Sequence, residues 1–296
     1  MSQVVSLNDP FMPGPSPVPD GVPGMPPLPG TEGGSMSIGQ AAALMEKESA
    51  SPVPVMDKPP MFHVELPAGW ISPSGLLVQS AEVRELNGYA EERLSRLDMA
   101  KNVAQYVTEL LMLGLVSIGS EPATREMVRN LLIGDRDALV LGIRKATYGD
   151  EIDFTLNCTT CDEESEIKVS IDDDIEVIKL DPPNERIFDV QLRNGSAKVM
   201  LLNGVAQEAF SENIGKKTQA EINTIMLAKS VVEINGNPVR GRDDPVRALS
   251  ASDRSTITDF IAERQPGPQF KEIKVPCATC GTEYPISLGL PSLFRF

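Results

Sequence analysis

The sequence predicts an α+β fold of two pseudo-symmetric repeats, each built from short strands and helices and ending in a cysteine hairpin, preceded by a long extended N-terminal arm. The first observation is a pair of CxxC motifs that contain all four cysteines of the chain, Cys158, Cys161, Cys277 and Cys280. Strand-like runs flank both motifs, as in zinc-knuckle hairpins. The second observation is a set of landmarks that recurs in the same order before each motif. The third is a proline-rich beginning that is poor in core-forming residues.

Residues 1–60 form the predicted arm. They are rich in proline, glycine and serine, most densely in the run PGPSPVPDGVPGMPPLPG. Proline removes backbone donors and restricts φ, so this stretch is expected to be extended rather than to fold as a domain. Within it, residues 38–49 read IGQAAALMEKES and can form a short amphipathic turn on a partner; a flexible linker is the alternative.

The first repeat is predicted over residues 61–175. Apolar and polar residues alternate between residues 62 and 83, with prolines and glycines between the runs, which predicts short strands and turns. Trp70 is expected to close this β element. The repeat ends in the first zinc knuckle, at Cys158 and Cys161.

Helices are predicted between this β element and the first knuckle. Asn87 has the side chain of a helix N-cap, and acidic residues follow it in the first turn, where the helix dipole favours them. Thr124 is a predicted cap for a short helix. Asp135 is a predicted cap for a longer helix that leads into the first knuckle.

The second repeat is predicted over residues 176–290 and ends in the second zinc knuckle. Its strands are expected around residues 187–192 and 197–202. The run VVEINGNPV predicts a tight hairpin around Asn235-Gly236. Residues 291–296 form an apolar C-terminal tail, which is expected to dock either on its own domain or on a partner.

Three helix N-caps are predicted in the second repeat: Asn203, Thr218 and Ser252. The helix after Ser252 is expected to end near Arg264, before the break at Pro266-Gly267-Pro268, and to lead into the second knuckle.

The evidence for duplication is a series of paired landmarks. The run ELNGYAEERLS from Glu85 is similar to LLNGVAQEAFS from Leu201, and an Asp-Arg pair precedes each knuckle, at Asp135-Arg136 and at Asp253-Arg254. The run from Phe62 also matches the run from Phe188. We infer two repeats that each donate one CxxC to a shared metal across a pseudo-twofold axis. Chance similarity between helical segments is the alternative.

The four cysteines predict one structural Zn²⁺ site. A CxxC turn lets two thiolates converge on one ion, so two such turns supply the four sulfurs of a closed tetrahedral site. Asp162 stands where a glycine often follows such a knuckle, but aspartate tolerates left-handed torsions and the turn is expected to form. A pair of disulfides and a rubredoxin-like iron centre are the alternatives, and colour separates iron from zinc.

Charge and length restrict the partners. The formal net charge is −15 and the pI is near 4.6, so the average surface repels nucleic acid and anionic lipid, and proteins are the expected partners. The residues around the first knuckle are acidic as well, which argues against a nucleic-acid-binding zinc ribbon. No signal peptide is evident at Met1–Val5, and the longest apolar stretch, near Leu110–Val116, is too short to span a bilayer.

The sequence offers no set of residues suited to catalysis, so no enzyme activity is expected. His63, the single histidine, has no second histidine or nucleophile beside it in the sequence pattern. Gly215-Lys216-Lys217 is not a phosphate loop, because position 210 is Phe where the Walker spacing needs Gly. The acidic run 172–174 lacks the pattern of a calcium loop.

One stretch carries a family resemblance. Leu131–Arg144 (LLIGDRDALVLGIR), then Thr147-Tyr148-Gly149, then Cys158-x-x-Cys161 resembles the baseplate hub assembly chaperone family of contractile-tailed bacteriophages. The stretch from Leu66-Pro67 to Leu86-Asn87-Gly88 is also similar to the N-terminal pattern of that family. The resemblance covers roughly residues 62–171.

The resemblance implies a structural or assembly protein of the tail baseplate that holds or joins hub subunits, a zinc-pinned protein-binding scaffold. Its implied partners are other baseplate and hub subunits within a multi-subunit assembly, without nucleic acid or membrane. The implied location is the virion tail baseplate, after assembly in the bacterial host cytoplasm. The long arm and the second knuckle depart from the family pattern. They leave two alternatives open: a component that stays in the virion, and a transient chaperone that leaves it.

Overall fold

The computed structural model describes residues 60–270, 273–286 and 288–294. The predicted arm lies outside these residues, apart from Pro60, and so do Arg295 and Phe296 of the predicted tail. Both helices and strands are present, as the α+β prediction requires. No helix within the described ranges combines the length and the apolar character that crossing a membrane would require.

The first half of the described chain alternates pairs of strands with pairs of helices. In chain order its elements are β1 (Met61–Ile71), β2 (Leu77–Arg84), α1 (Gly88–Ser95), α2 (Val103–Gly114), β3 (Leu115–Ile118), β4 (Glu121–Pro122), α3 (Arg125–Asn130), α4 (Ile133–Tyr148), β5 (Glu151–Asn157), β6 (Glu164–Ser170) and α5 (Ile171–Asp174). Strands β1 to β4 form one antiparallel sheet in sequence order, and β5 pairs with β6 as a separate hairpin. The pairing of β1 with β2 is irregular between Glu65 and Trp70.

The second half follows the first in a similar way. In chain order its elements are β7 (Val177–Ile178), β8 (Ile187–Leu192), β9 (Gly195–Met200), α6 (Gly204–Ser211), α7 (Gln219–Ser230), β10 (Val231–Ile234), β11 (Asn237–Pro238), α8 (Asp243–Arg247), α9 (Ala251–Arg264), β12 (Gly267–Pro268), β13 (Ile273–Pro276), β14 (Glu283–Ile286) and α10 (Leu290–Leu293). Strands β8 to β11 form the second antiparallel sheet, β13 pairs with β14, and β7 pairs with β12.

Apart from the short elements α5, β7, β12 and α10, both halves have the order ββααββααββ. Each half therefore contains a four-stranded meander with two helices inserted after its second strand, then two more helices and a hairpin. This common order is what the duplication predicts, but a common origin of the halves stays a prediction.

Local sequence signals place four of the six predicted helix starts correctly. Asn87 and Asn203 cap α1 and α6 by accepting hydrogen bonds from the backbone N–H groups three residues on, at 3.2 Å and 3.0 Å. Thr124 caps α3 in the same way. Thr218 caps α7 through a capping box. These four predicted caps are confirmed.

The predicted hairpin at Asn235-Gly236 is also confirmed. Strands β10 and β11 pair across it, and both turn residues have positive φ, 49° and 78°. A two-residue turn with both φ values positive matches the right-handed twist of the strands that it joins, and the Asn-Gly pair tolerates that conformation.

Two predicted caps are wrong. Helix α4 begins at Ile133, so Asp135 lies inside the first turn rather than at the N-cap, and its carboxylate accepts from the backbone of β1. Helix α9 begins after Ser250, not Ser252, because the Ser250 hydroxyl accepts from the Asp253 N–H at 3.1 Å. The second strand of this half spans Gly195–Met200, slightly earlier than predicted.

The largest hydrophobic core combines the first half with the end of the chain. Helices α2 and α4 contribute nine of its buried residues, and residues from β14 onward complete it, including Leu288, Leu293 and Phe294. The Phe294 ring meets the Tyr148 ring edge-on at 6.4 Å between centroids. The described part of the predicted tail therefore docks on its own chain. Trp70 packs against this core and is partly buried.

The second half has its own core and a small junction with the first. Val199, Leu227 and Ile257 lie at the centre of the second core. A separate small cluster, Ala68, Leu132, Leu180, Phe188 and Leu201, joins residues of both halves.

Candidate metal centre

The first knuckle is the turn between β5 and β6. The Cys158 N–H donates to the Glu163 carbonyl at 2.8 Å, and the Asp162 N–H donates to the Cys158 carbonyl at 2.9 Å. Asp162 has φ = 58°, so aspartate takes the left-handed position as expected. These bonds fold the two cysteines of the turn toward one side.

The second knuckle, between β13 and β14, repeats this geometry. The Cys277 N–H donates to the Thr282 carbonyl at 2.8 Å, and the Gly281 N–H donates to the Cys277 carbonyl at 2.9 Å. Gly281 takes the left-handed position with φ = 74°. The two turns are therefore equivalent hydrogen bond for hydrogen bond, although one uses Asp where the other uses Gly.

The two knuckles bring all four predicted ligands together. The sulfur atoms of Cys158, Cys161, Cys277 and Cys280 lie within 4.8 Å of one another. The closest contacts join opposite knuckles, at 3.5 Å for Cys158–Cys280 and 3.7 Å for Cys161–Cys277. Exchanging the knuckles exchanges these two contacts, as a local pseudo-twofold axis would require, but the twofold relation of the repeats stays a prediction.

These distances fit a tetrathiolate site. Metal–sulfur bonds of about 2.3 Å in a tetrahedron place the sulfurs roughly 3.8 Å apart, whereas a disulfide needs about 2.05 Å. None of the four cysteines forms a disulfide in the structure. The donor set and its spacing therefore suit a closed site for Zn²⁺, with iron as the other tetrathiolate metal.

The centre has a buried side and an open side. Cys158 and Cys277 are only 2% and 3% exposed and belong to the large core, whereas Cys161 and Cys280 are exposed. A metal ion held here would connect the core to the surface of the molecule. The exposed pair also gives an ion a direct way in from solvent.

The pKa of the Cys161 thiol is raised above its ordinary value. The backbone N–H of Glu163 has the largest single influence on the pKa of Cys161 and lowers it, but burial of the sulfur and hydrogen bonds from Cys158, Cys280 and Cys277 together raise that pKa to about 12. A metal must displace the thiol protons, because the thiolate is the ligand. Metal binding is therefore expected to release protons.

Two threonines connect the knuckles beside the sulfurs, and the sequence analysis missed them. Thr282 Oγ1 lies 3.2 Å from Cys280 Sγ and 3.2 Å from Thr160 Oγ1. The Thr160 N–H donates to Cys158 Sγ at 3.4 Å. Donors of this kind orient thiolate ligands around a metal. The sequence signal that could have found them is a threonine close to the second cysteine of each motif: Thr160 stands directly before Cys161, and Thr282 stands two residues after Cys280.

The remaining sequence candidates form no comparable site. Within the described ranges, the four cysteines are the one cluster of three or more potential metal ligands. His63 lies on β1 with Nδ1 3.5 Å from the Ala81 carbonyl. Asp172 pairs with Lys145 on the surface, and Gly215-Lys216-Lys217 is an exposed turn.

Comparison with known proteins gives one finding. No curated protein and no solved structure matches the chain. A family model described as T4 bacteriophage base plate protein matches residues 99–295, more than half of the chain, including both knuckles and all helices from α2 onward. The chain therefore belongs to the T4 bacteriophage base plate protein family.

Proposed function

We propose that the protein is a structural or assembly component of the phage tail baseplate, in its hub region, and that one Zn²⁺ held by the four cysteines fixes its fold. Family membership supports a role in the baseplate and a location in the virion tail, alongside other tail components. The convergence of four sulfurs within 4.8 Å supports the metal. No catalytic role is proposed for any residue.

The metal is tested by elemental analysis of the full chain, purified with a thiol reductant. We expect one zinc per chain and a colourless protein. Cys277→Ser should lose most of the metal, because a hydroxyl is a poor substitute for a thiolate ligand. Thr159→Ser, an exposed change in the first knuckle, is the matched control and should keep it. Less than half an equivalent of zinc in the wild type would contradict the proposal, and a red protein would indicate iron.

Duplication is also proposed, and a shared arginine network supports it. In the first half, Arg136 is fully buried and donates to the carbonyls of Val128 at 2.9 Å and Ala104 at 3.0 Å, and to the Thr108 hydroxyl at 2.9 Å. This arginine therefore ties α4 to the end of α3 and to the start of α2.

In the second half, Arg254 makes the same three bonds from α9. It donates to the carbonyls of Val246 at 3.1 Å and Ala220 at 3.2 Å, and to the Thr224 hydroxyl at 2.9 Å. The partner residues have the same types in both halves: Val, Ala and Thr. Three matched bonds from one arginine in each half go beyond what a common element order requires.

The aspartates before these arginines also act alike. Asp135 accepts from the backbone N–H of Ala68 at 2.7 Å, and Asp253 accepts from the backbone N–H of Arg193 at 2.7 Å. Each carboxylate thus attaches its helix to the first strand pair of its own half. We infer that the Asp-Arg pair is the common anchor of two repeats.

A protein-binding scaffold fits this construction better than a nucleic-acid-binding zinc ribbon. The residues beside the first knuckle are exposed and acidic: Asp162, Glu163, Glu164 and Glu166. They would face phosphates with like charge. The nucleic-acid alternative would require the protein to bind nucleic acid with an affinity that falls steeply as the salt concentration rises.

A transient hub assembly chaperone is the closest alternative. Both roles need protein-binding surfaces and neither needs catalysis, so composition of the particle separates them. We expect quantitative mass spectrometry of purified virions to find the protein in a fixed ratio to other tail proteins. Its absence from infectious particles, together with its presence in assembly intermediates, would establish the chaperone role instead.

A further inference from the structure

The contact between the two halves is built around helix α6. This helix packs against α2, α3 and α4 of the first half. Its Glu208 carboxylate lies 2.6 Å from the Thr108 hydroxyl and accepts from Arg129 Nε at 2.9 Å. Its neighbour Gln207 accepts from Arg136 Nε at 3.2 Å. We call Thr108, Arg129 and Arg136 the acceptor surface of the first half, because they receive helix α6. Their side chains donate the hydrogen bonds, and the oxygens of Gln207 and Glu208 accept them.

The second half carries the same acceptor surface. Thr224, Arg247 and Arg254 on α7, α8 and α9 occupy the positions that Thr108, Arg129 and Arg136 occupy in the first half. The network of Arg254 described above shows that two of these three residues are arranged as in the first half.

The second acceptor surface is more open than the first. Ala104 is fully buried beneath α6, but its counterpart Ala220 is exposed. Arg247 has 57% of its side chain exposed and pairs with Asp243 and Asp244 of its own helix, whose side chains are 45% and 93% exposed. Surface ion pairs of this kind are weak and exchange readily.

In the first half, the helix that corresponds to α6 is α1. It also begins after an N-cap asparagine in an Asn-Gly pair. Glu91 and Glu92 of α1 stand where Gln207 and Glu208 stand on α6. The Glu92 side chain is 73% exposed, whereas that of Glu208 is 16% exposed.

The face of α1 that carries these glutamates has no partner helix in the second half. Tyr89 on this helix is 85% exposed, the largest exposure among the described large hydrophobic residues. Within the described elements, α1 packs on α2 and makes no extensive contact with α7, α8 or α9. The interface between the halves is thus one-sided, because the first half supplies the acceptor surface and the second half supplies the docking helix α6. The acceptor surface of the second half and helix α1 of the first half do not take part in it.

We propose that α1 of one copy of the protein docks on the α7, α8 and α9 surface of a second copy, in the way that α6 docks on the first half. Glu92 would then meet Thr224 and Arg247, and Glu91 would meet Arg254. The proposal rests on the matched interactions of the two halves and not on the hub role. Its failure would leave the zinc and virion tests above unaffected.

Charge and symmetry support a second copy as the occupant. In the proposed contact, two carboxylates of α1 would face two guanidinium groups of the acceptor surface. This pairing is favourable in a chain of net charge −15 whose copies otherwise repel. The contact joins two different surfaces, so it is heterologous. Repetition of such a contact gives a closed ring if the rotation closes, or a filament if it does not.

Charge reversal tests the contact through sedimentation of the full chain at low salt over a range of concentrations. The wild type should self-associate, and Glu92→Arg and Arg247→Glu should each weaken this association by more than about tenfold, because like charges then meet. Glu166→Arg, an exposed change of the same sign on β6, is the matched control for Glu92→Arg and should not weaken it. Unchanged zinc content and melting temperature should show that the variants fold.

A mixture of the two variants gives the sharper test. Glu92→Arg on one copy complements Arg247→Glu on the other, so an equimolar mixture should regain association that neither variant has alone. Failure of the mixture to associate would overturn the proposal, and so would a wild type that stays monomeric at every concentration. Replacing Tyr89 by a photo-crosslinking phenylalanine should give cross-links between copies to α7 and α8. Cross-links confined to other surfaces would also overturn it.

Discussion

Asp135 shows how one buried side chain ties distant parts of the chain together. Its Oδ1 accepts from the N–H groups of Ala68 and Gly69, at 2.7 Å and 3.1 Å, where the pairing of β1 with β2 is irregular. Arg186, from the second half, donates to the carbonyls of the same two residues at 2.7 Å and 2.9 Å. The peptide groups of Ala68 and Gly69 are therefore held from both sides.

This position affects the ionisation of Asp135. Burial raises its pKa to about 6, although the hydrogen bonds from Ala68 and Gly69 and the charge of Arg186 act in the opposite direction. The folded protein binds this proton more tightly than the unfolded chain, whose aspartates titrate near pH 3.9. The contribution of Asp135 to stability is therefore greatest below that pH and is lost as the pH rises through about 6.

Asp135→Asn should remove this pH dependence. The amide oxygen can still accept from Ala68 and Gly69, but the side chain no longer ionises. Relative to the wild type, the variant should gain up to about 3 kcal/mol of unfolding free energy between pH 4 and pH 7. Urea unfolding at several pH values measures this. Asp189→Asn, an exposed change on β8, is the control, and parallel profiles for wild type and Asp135→Asn would contradict the argument.

At this scale the sequence predicts local effects and misses long-range ones. Asn87 and Asn203 were recognisable as caps because the bond is made within three residues. Asp135 also has a side-chain oxygen that can accept a backbone hydrogen bond and was assigned the same role. Its oxygen instead accepts from the N–H of Ala68 on β1, far away in sequence. Ser250 and Ser252 are both candidate caps, and the structure distinguishes them by two bonds of the Ser250 hydroxyl, which accepts from the Asp253 N–H at 3.1 Å and donates to the Asp253 carboxylate at 2.8 Å.

The packing of elements depends on close backbone contacts as much as on side chains. Helix α4 meets the segment before β12 at Gly134, where an added Cβ would lie 1.7 Å from the Pro266 carbonyl oxygen and 2.7 Å from the Gly267 Cα. This contact brings the helix that precedes the first knuckle against the chain that precedes the second. A glycine inside the first turn of a helix is otherwise unfavourable, so the contact explains its presence.

Gly134→Ala is therefore expected to destabilise the protein although alanine favours helices. The methyl group meets backbone, which cannot rotate away, and the cost should be about 1–3 kcal/mol or more. Gly88→Ala on α1 is the matched control, since no atom lies within 4 Å of its added Cβ, and its stability should be unchanged or slightly higher. Thermal unfolding of both variants measures the difference in stability. Equal melting temperatures would contradict the prediction, because they would show that α4 and the segment before β12 can move apart without loss of stability.

The two hairpins were the best predicted elements, for a physical reason. A knuckle is defined by its own turn: two cysteines, a left-handed residue after them and flanking strands that pair locally. The strands that flank each knuckle and the left-handed turn at Asp162 followed from the residues. The surface on which each hairpin packs did not follow from the residues, because packing depends on the shape of the two surfaces rather than on a repeating pattern.

The whole molecule departs from a simple pair of independent repeats. The second knuckle leaves its own half and joins the core of the first, where Cys277, Ile286, Leu288 and Phe294 pack with residues of α2, α4 and β6. The two sulfur contacts between the knuckles exchange as the predicted twofold relation would require, whereas the helices of the two halves meet in a one-sided contact. Apolar residues at the chain end were expected to dock, but the sequence left the place open.

This arrangement predicts how the protein responds to loss of the proposed metal. A chelator strong enough to remove the proposed ion should loosen the attachment of residues 273–286 and 288–294 to the first half, because the apolar packing of the chain end must then hold it there without the metal. The core that loses these residues is the one around Leu110, Leu139 and Ile143, whereas the core around Val199, Leu227 and Ile257 contains no residue of either knuckle.

Hydrogen exchange with and without the chelator measures the effect on each core. Backbone amides of α2, α4 and β6 should exchange much faster after metal removal, since burial of the chain end protects them, while those of α7, β9 and α9 should keep most of their protection. Phe294→Ala, which removes the ring that contacts Tyr148, should produce a milder form of the same pattern with the metal still bound. Uniform loss of protection in both cores would show that the halves unfold together, and unchanged protection would show that the metal does not hold the chain end in place.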